Sequence, residues 1–241
     1  MAIKGILFDL YGTLIDIETD ESMDDIYRAI AHYLTYQGVY LPRLEVRERY
    51  YQIMKEQKEA RAEEYPEIDV EAIWSKLLLQ EGIKSDFTRG EQAKVIAHIY
   101  RGISREHLQL YAGVEEVLSK LQSGYTLGLV TDAQSCFAVP EMKAVGLHGY
   151  FHSFTISSHY GFRKPDSRLF QKALDRMALQ PSDVIAVGND MFRDVYGAQQ
   201  MGIKTIFFDS SQGVKSYGDA KPDYRVQQFS YVLKGVAWLG Q

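Results

Sequence analysis

The order in which two hydrophobic periodicities alternate along this chain restricts its architecture more than any other feature. Residues 3–9 form a short apolar run that ends in the turn chemistry of Tyr11-Gly12-Thr13, as expected of a buried strand feeding a loop. From about residue 20 to residue 105 the spacing is helical, with Met23, Ile26, Tyr27, Ile30 and Leu34 along one face. Residues 43–62 are charged and rich in tyrosine, residues 68–79 carry Ile73, Trp74, Leu77 and Leu78, and Gly82 and Gly90 punctuate the helices beyond, so three to five helices are expected. After Gly113 strands and helices alternate. Helical faces on Val114, Val117, Leu118 and Leu121, through Met142, on Leu169, Phe170, Ala173, Leu174 and Met177, and up to Gly202 separate strand-like runs at 125–131, 154–157, 184–187 and 203–208. That rhythm predicts an α/β fold with a parallel sheet flanked by helices. One strand before a helical block and the others after it place an insertion behind the first strand: residues 1–16 and 106–241 form the sheet domain, and 17–105 the helical one.

Ligands of open α/β sheets gather outside the carboxyl ends of the strands. Those ends deliver Asp9, Thr131-Asp132 and Asn189-Asp190, and a lysine-bearing loop, Arg163-Lys164-Pro165-Asp166, precedes the last of them. The formal charge of −5 argues against nucleic acid as a partner, since a phosphate-backbone binder shows a basic stripe. Cys136 stands alone, so neither an internal disulfide nor a multi-cysteine metal site is expected, and a reducing, cytoplasmic location fits. No run of about 18 apolar residues predicts a membrane span, and the first residues do not read as a signal peptide.

Four segments occur in order: Phe8-Asp9-Leu10-Tyr11-Gly12-Thr13-Leu14, Val130-Thr131-Asp132, Lys164-Pro165-Asp166, and Val187-Gly188-Asn189-Asp190 through Asp194-Val195-Tyr196-Gly197-Ala198. Together they resemble the four motifs of the haloacid dehalogenase-like superfamily, and the resemblance spans nearly the whole chain. It implies a Rossmann-like core with an α-helical cap inserted after the first motif, where the change of periodicity independently places an insertion.

The resemblance implies a role for each station. Asp9 is the covalent nucleophile, because a carboxylate splits one hard displacement into two easier ones. Thr131 hydrogen-bonds a phosphoryl or carboxylate oxygen, with Asp132 beside it as a further substrate-binding candidate. Lys164 neutralises Asp9 and the transferring group, while Arg163 points outward. Mg²⁺, a small hard cation that needs only one or two carboxylates, is expected on Asp9, the Tyr11 carbonyl and Asp190 or Asn189. Asp194 and Thr13 support this set, with Asp194 orienting Lys164 or a metal-bound water. The bland alternative for Asp190 and Asp194 is capping of a helix N-terminus.

Tyr11 departs from the phosphatase pattern, which places an acid–base aspartate two residues after the nucleophile. A phenol with an unperturbed pKa of about 10 substitutes poorly for it. Tyrosine at that place resembles the 2-haloacid dehalogenase branch, where halide leaves without a proton and Asp9 forms an ester with carbon. Three functions are open: a Mg²⁺-dependent phosphohydrolase of a small phosphorylated metabolite, favoured by Thr131-Asp132 and the carboxylates of the fourth motif; a metal-independent hydrolase of halogenated acids; and a weakly active binding or regulatory protein. Arg43, Arg47 and Arg49 are cap candidates for a substrate carboxylate by position only and are expected in solvent. Tyr33, Tyr36, Tyr40, Tyr50 and Tyr51 make the cap aromatic, with helix packing their expected use.

Overall fold

The computed structural model describes residues 2–241. β1 (Gly5–Phe8) leads to β2 (Ile15–Thr19) and then to four helices, α1 (Asp24–Tyr36), α2 (Arg43–Glu59), α3 (Val70–Gln80) and α4 (Asp86–Ser104), before β3 (Arg105–Leu110) brings the chain back. The remainder alternates: α5 (Val114–Leu121), β4 (Thr126–Thr131), α6 (Ser135–Ala144), β5 (Ser153–Ile156), α7 (Ser167–Met177) and β6 (Val184–Gly188). A π-helical segment (Met191–Tyr196) then runs into α8 (Gly197–Gln199), succeeded by β7 (Lys204–Phe208), β8 (Tyr224–Val226) and α9 (Val232–Leu239).

Six strands form one sheet in the order β5-β4-β1-β6-β7-β8, and every pairing in it is parallel. The apolar runs at 5–8 and 184–188 are fully buried, as a parallel strand covered on both faces requires. Side chains of β1 alternate between the layers: Ile6 and Phe8 join the cluster of Val117, Leu118 and Val236, while Leu7 joins Leu169, Phe170 and Leu174 on the other face. Strand order reverses on either side of β1, so the crevice at its carboxyl end is the topological switch point.

The four helices of the insertion bury their own apolar cluster, built on Ile30, Leu34, Trp74, Leu77 and Ile96, and Phe137 of α6 joins it. Asp69 and Ser85 cap α3 and α4 by accepting from the N–H groups of Ala72 and Thr88. Of Tyr33, Tyr36, Tyr40, Tyr50 and Tyr51, Tyr50 is buried and stacks on Trp74 at 4.7 Å, whereas Tyr36 and Tyr40 stand largely in solvent.

The helical reading of 20–105 omits a feature at its margins. β2 and β3 pair antiparallel, Ile15 opposite Leu110 and Ile17 opposite Leu108, so both ends of the insertion pass through one two-stranded ribbon. Its residues, IDIET and REHLQL, are largely polar and short, and only mutual pairing stabilises them as strands. Gly90 lies inside α4 rather than between helices. β8 and α9, which complete the sheet edge, carry too short a pattern to stand out. No helix among the described residues is long and apolar enough to cross a membrane.

Candidate active site

Parallel registry places Phe8 level with Leu129 and Val187, so Asp9 emerges between β4 and β6, its N–H bonded to the Val187 carbonyl at 2.9 Å. The chain turns at once through Gly12, whose φ of +82° favours glycine. A side chain there would also meet the Asn189 amide, as an ideal Cβ lies 2.2 Å from Nδ2. The turn returns Thr13 to the strand end, where its hydroxyl lies 3.0 Å from Asp9 Oδ2 and 3.1 Å from Asn189 Oδ1.

Lys164 arrives from the loop ahead of α7. Its ammonium donates to Asp9 Oδ1 at 2.7 Å, to Asp194 Oδ1 at 2.6 Å and to the Val130 carbonyl at 3.2 Å. All three side chains are buried. Burial works against the lysine charge, yet the carboxylates of Asp194 and Asp9 hold its pKa above the ordinary range. Burial pushes the Asp194 carboxyl upward, with Lys164 opposing it. The other oxygen of Asp194 accepts the N–H groups of Asn189 and Asp190, both at 3.0 Å. This needs a glycine at 188, because a Cβ there would lie 2.3 Å from Asp194 Cγ.

Asp190 faces away from this group. Oδ1 accepts from the N–H groups of Phe192 and Arg193, and Oδ2 from Arg193 Nε and the Val214 N–H. Burial disfavours its charge, but the N–H and guanidinium of Arg193 hold the carboxyl below its usual range. It is a cap of the π-helical segment, as the bland reading had it. Thr131 ends β4 buried, with no hydrogen-bond partner for its hydroxyl among the described residues. Asp132 Oδ1 accepts from the Lys164 N–H at 2.9 Å.

Over these strand ends lies a cavity of about 370 Å³ between sheet and helices, lined by Tyr11, Asp132 and Asn189 below and by Tyr50, Glu67 and Tyr100 above. The segment between α2 and α3 docks on the loop ahead of Lys164, the Glu67 N–H reaching the Gly161 carbonyl and the Arg163 N–H the Tyr65 carbonyl, each at 3.0 Å. Three guanidinium-bearing residues, Arg101, Arg163 and Arg193, line the cavity as well. Arg163 is largely in solvent and has no ion pair among the described residues.

Sequence reasoning missed Arg101 and Glu141. Arg101 on α4 grips Glu141 on α6 through Nε at 2.7 Å and Nη2 at 3.2 Å, and the Tyr11 hydroxyl donates to the same carboxylate. Burial first, and then Glu141, holds the Tyr11 phenol well above its ordinary pKa. The only signal in the sequence was an arginine late in a helix, indistinguishable from a solvated one. The arginines nominated instead lie elsewhere: Arg43 pairs with Asp24, Arg49 with Glu45 and Glu81, and Arg47 sits over the Tyr27 ring. Cys136 is partly buried, and its surroundings push the thiol up to about 12.

A family model described as haloacid dehalogenase-like hydrolase matches residues 6–208. The chain belongs to that family. It is 32% identical over 117 residues to the glyceraldehyde 3-phosphate phosphatase of Pyrococcus furiosus, a match covering 48% of each chain. It thus spans about half the length of the curated relatives it first matches. Similarity to the phosphoglycolate phosphatase of Aliivibrio fischeri is lower, 27% over 234 residues, but covers 96% of this chain and 95% of that one. Among solved structures, a 2-haloacid dehalogenase from Pseudomonas syringae superposes with a TM-score of 0.71 at 24% identity, over 98% of this chain and 99% of that one, which shows the shared fold.

In this haloacid dehalogenase-like hydrolase, then, the strand ends bring Asp9, Thr13, Lys164, Asn189 and Asp194 into direct hydrogen-bond contact. Thr131 and Asp132 lie beside them, and Asp190 is turned aside. No group of three or more His, Cys, Asp or Glu side chains among the described residues is gathered to hold a metal ion. Asp9 and Asn189 nevertheless share Thr13, and they make a set of one anionic carboxylate and one neutral amide oxygen. Such a set suits Mg²⁺, which takes its remaining ligands from water and substrate.

Proposed function

We propose that this hydrolase cleaves a small anionic phosphomonoester through an aspartyl-phosphate on Asp9, with Mg²⁺ as cofactor. The observation that carries the reading is the cavity over the strand ends, with Arg101, Arg163 and Arg193 on its walls and Lys164 beneath. Arg101 is paired with Glu141 and Arg193 with Asp190, which leaves Arg163 without an ion pair among the described residues to meet an anionic group of the substrate. Residues 17–105 act as the cap over a core of 1–16 and 106–241, selecting substrate and excluding water. A lone cysteine fits a cytoplasmic setting.

Asp9 attacks phosphorus while Lys164 balances its charge and that of the transferring oxygens. The unpartnered Thr131 hydroxyl donates to one of those oxygens. Asp194 fixes the ammonium between the two carboxylates. Asp9, the Tyr11 carbonyl and Asn189 would hold Mg²⁺, which supplies neutralisation of phosphoryl charge. Phosphate release from a panel of phosphomonoesters should require Mg²⁺ and vanish in Asp9→Asn. Release that persists in EDTA, or in that variant, contradicts the reading.

Tyr11 favours a second reading. With its hydroxyl given to Glu141, the residue two places after the nucleophile provides no acid, and displacement of halide needs none. Halide release from 2-chloropropionate in the presence of EDTA would select this reading over the first.

A further inference from the structure

A phosphomonoester loses an alkoxide that must be protonated, and the residues nearest the usual place do not supply the proton. The Tyr11 phenol is held far above neutrality and donates to Glu141. Glu141, gripped by Arg101 at 2.7 Å and with Arg105 at 3.6 Å, receives hydrogen bonds and offers none.

Asp132 is built differently. Its side chain is 6% exposed and lines the cavity. Oδ1 is anchored by the Lys164 N–H, which leaves Oδ2 buried with no hydrogen-bond partner among the described residues; Arg193 Nη1 is 4.0 Å away. The residue before it is Thr131, whose hydroxyl is also unpartnered. Two buried, unbonded oxygens on successive residues at the end of a strand are costly unless a ligand or a proton completes them.

We propose that Asp132 is the general acid and base of the reaction, the role that Tyr11 does not fill. This rests on the phosphoryl-transfer reading through Asp9. In the first step the P–O bond to the leaving alcohol breaks as the Asp9 oxygen bonds to phosphorus, and the Asp132 proton moves to the departing oxygen. In the second, Asp132 takes a proton from water as that oxygen attacks phosphorus, the acyl-phosphate P–O bond breaks, and Asp9 is restored with Asp132 protonated. Both protons are thus accounted for. Burial raises the Asp132 carboxyl to about 6, with Lys164 and Arg193 pulling it down and Asp9 pushing it up, so it is poised for both roles. Arg163 and Glu67 line the same cavity.

The test compares first-turnover release of p-nitrophenol from p-nitrophenyl phosphate with that of glycerol from glycerol 3-phosphate, with Mg²⁺, in wild type, Asp132→Asn and Asp9→Asn. Asparagine keeps Oδ1 as acceptor for the Lys164 N–H, and a thermal melt verifies folding. In Asp132→Asn glycerol release should slow by about 10²–10⁴-fold, the contribution of a positioned acid. The p-nitrophenol burst should persist, because that anion leaves unprotonated, with slow breakdown of the aspartyl-phosphate after it. Equal slowing of both substrates, or of neither, overturns the assignment of Asp132. A wild type that releases no p-nitrophenol in the first turnover, or release that survives Asp9→Asn, overturns the phosphoryl-transfer reading, and the assignment of Asp132 falls with it.

Discussion

Arg101 and Glu141 form a two-point pair, Nε to Oε1 at 2.7 Å and Nη2 to Oε2 at 3.2 Å, that joins α4 of the helical insertion to α6 of the sheet domain. Neither side chain is more than 12% exposed. Glu141→Gln removes the charge and leaves a buried guanidinium uncompensated, so unfolding free energy should fall by about 3 kcal/mol. Denaturant unfolding measures this, and a loss below about 1 kcal/mol would show that the pair does not hold the two layers together.

Lys164→Met should be more damaging to stability than its single charge suggests. It leaves Asp9 and Asp194 buried and facing each other without the ammonium between them. A loss of about 3–5 kcal/mol is expected at pH 7, shrinking as the pH falls and the Asp194 carboxyl, already raised by burial, takes up a proton. A loss that does not change with pH would mean that the methionine disturbs packing instead.

Asp132 predicts a pH-dependent stability of defined sign. Its carboxyl rises from 3.8 to about 6 on folding, so the folded state binds the proton more tightly than the unfolded chain. The resulting stabilisation is complete below the unfolded pKa and is lost as pH rises through about 6. Asp132→Asn does not titrate, so relative to wild type it should gain about 3 kcal/mol between acid and neutral pH. Parallel stability curves for the two proteins across that window would refute the raised pKa.

Gly12→Ala strains the nucleophile turn twice, through its φ of +82° and through contact with Asn189. The backbone term alone costs about 1–2 kcal/mol. Displacing Asn189 from Thr13 should also weaken Mg²⁺ dependence, read as a higher metal concentration for half-maximal activity. Unchanged metal response would separate Asn189 from the cation.

Much of the architecture was legible because it rests on local periodicity. Continuous apolar runs such as Ile6-Leu7-Phe8 fit a strand buried on both faces, and the spacing of Leu169, Phe170, Ala173 and Leu174 fits one helical face. The ribbon of β2 and β3 was not legible, since its strands gain their stability from each other across the whole insertion. The same limit hid Arg101, whose partners Glu141 and Tyr11 lie 40 and 90 residues away.

By itself the sequence determined a parallel α/β core with a helical insertion, and it put Asp9, Thr131, Lys164 and Asn189 at strand ends or in the loops between them. Hydrophobic period and chain order suffice for that, because side-chain burial repeats every 2 or 3.6 residues whatever the distant contacts are. Only the tertiary structure decided that Asp190 turns to cap its own segment, that Asp194 meets Lys164, and that one oxygen of Asp132 is left unbonded in the cavity. Hydrogen bonding is directional and short in range, so which carboxylate is occupied and which is free depends on donors that only packing brings within about 3 Å.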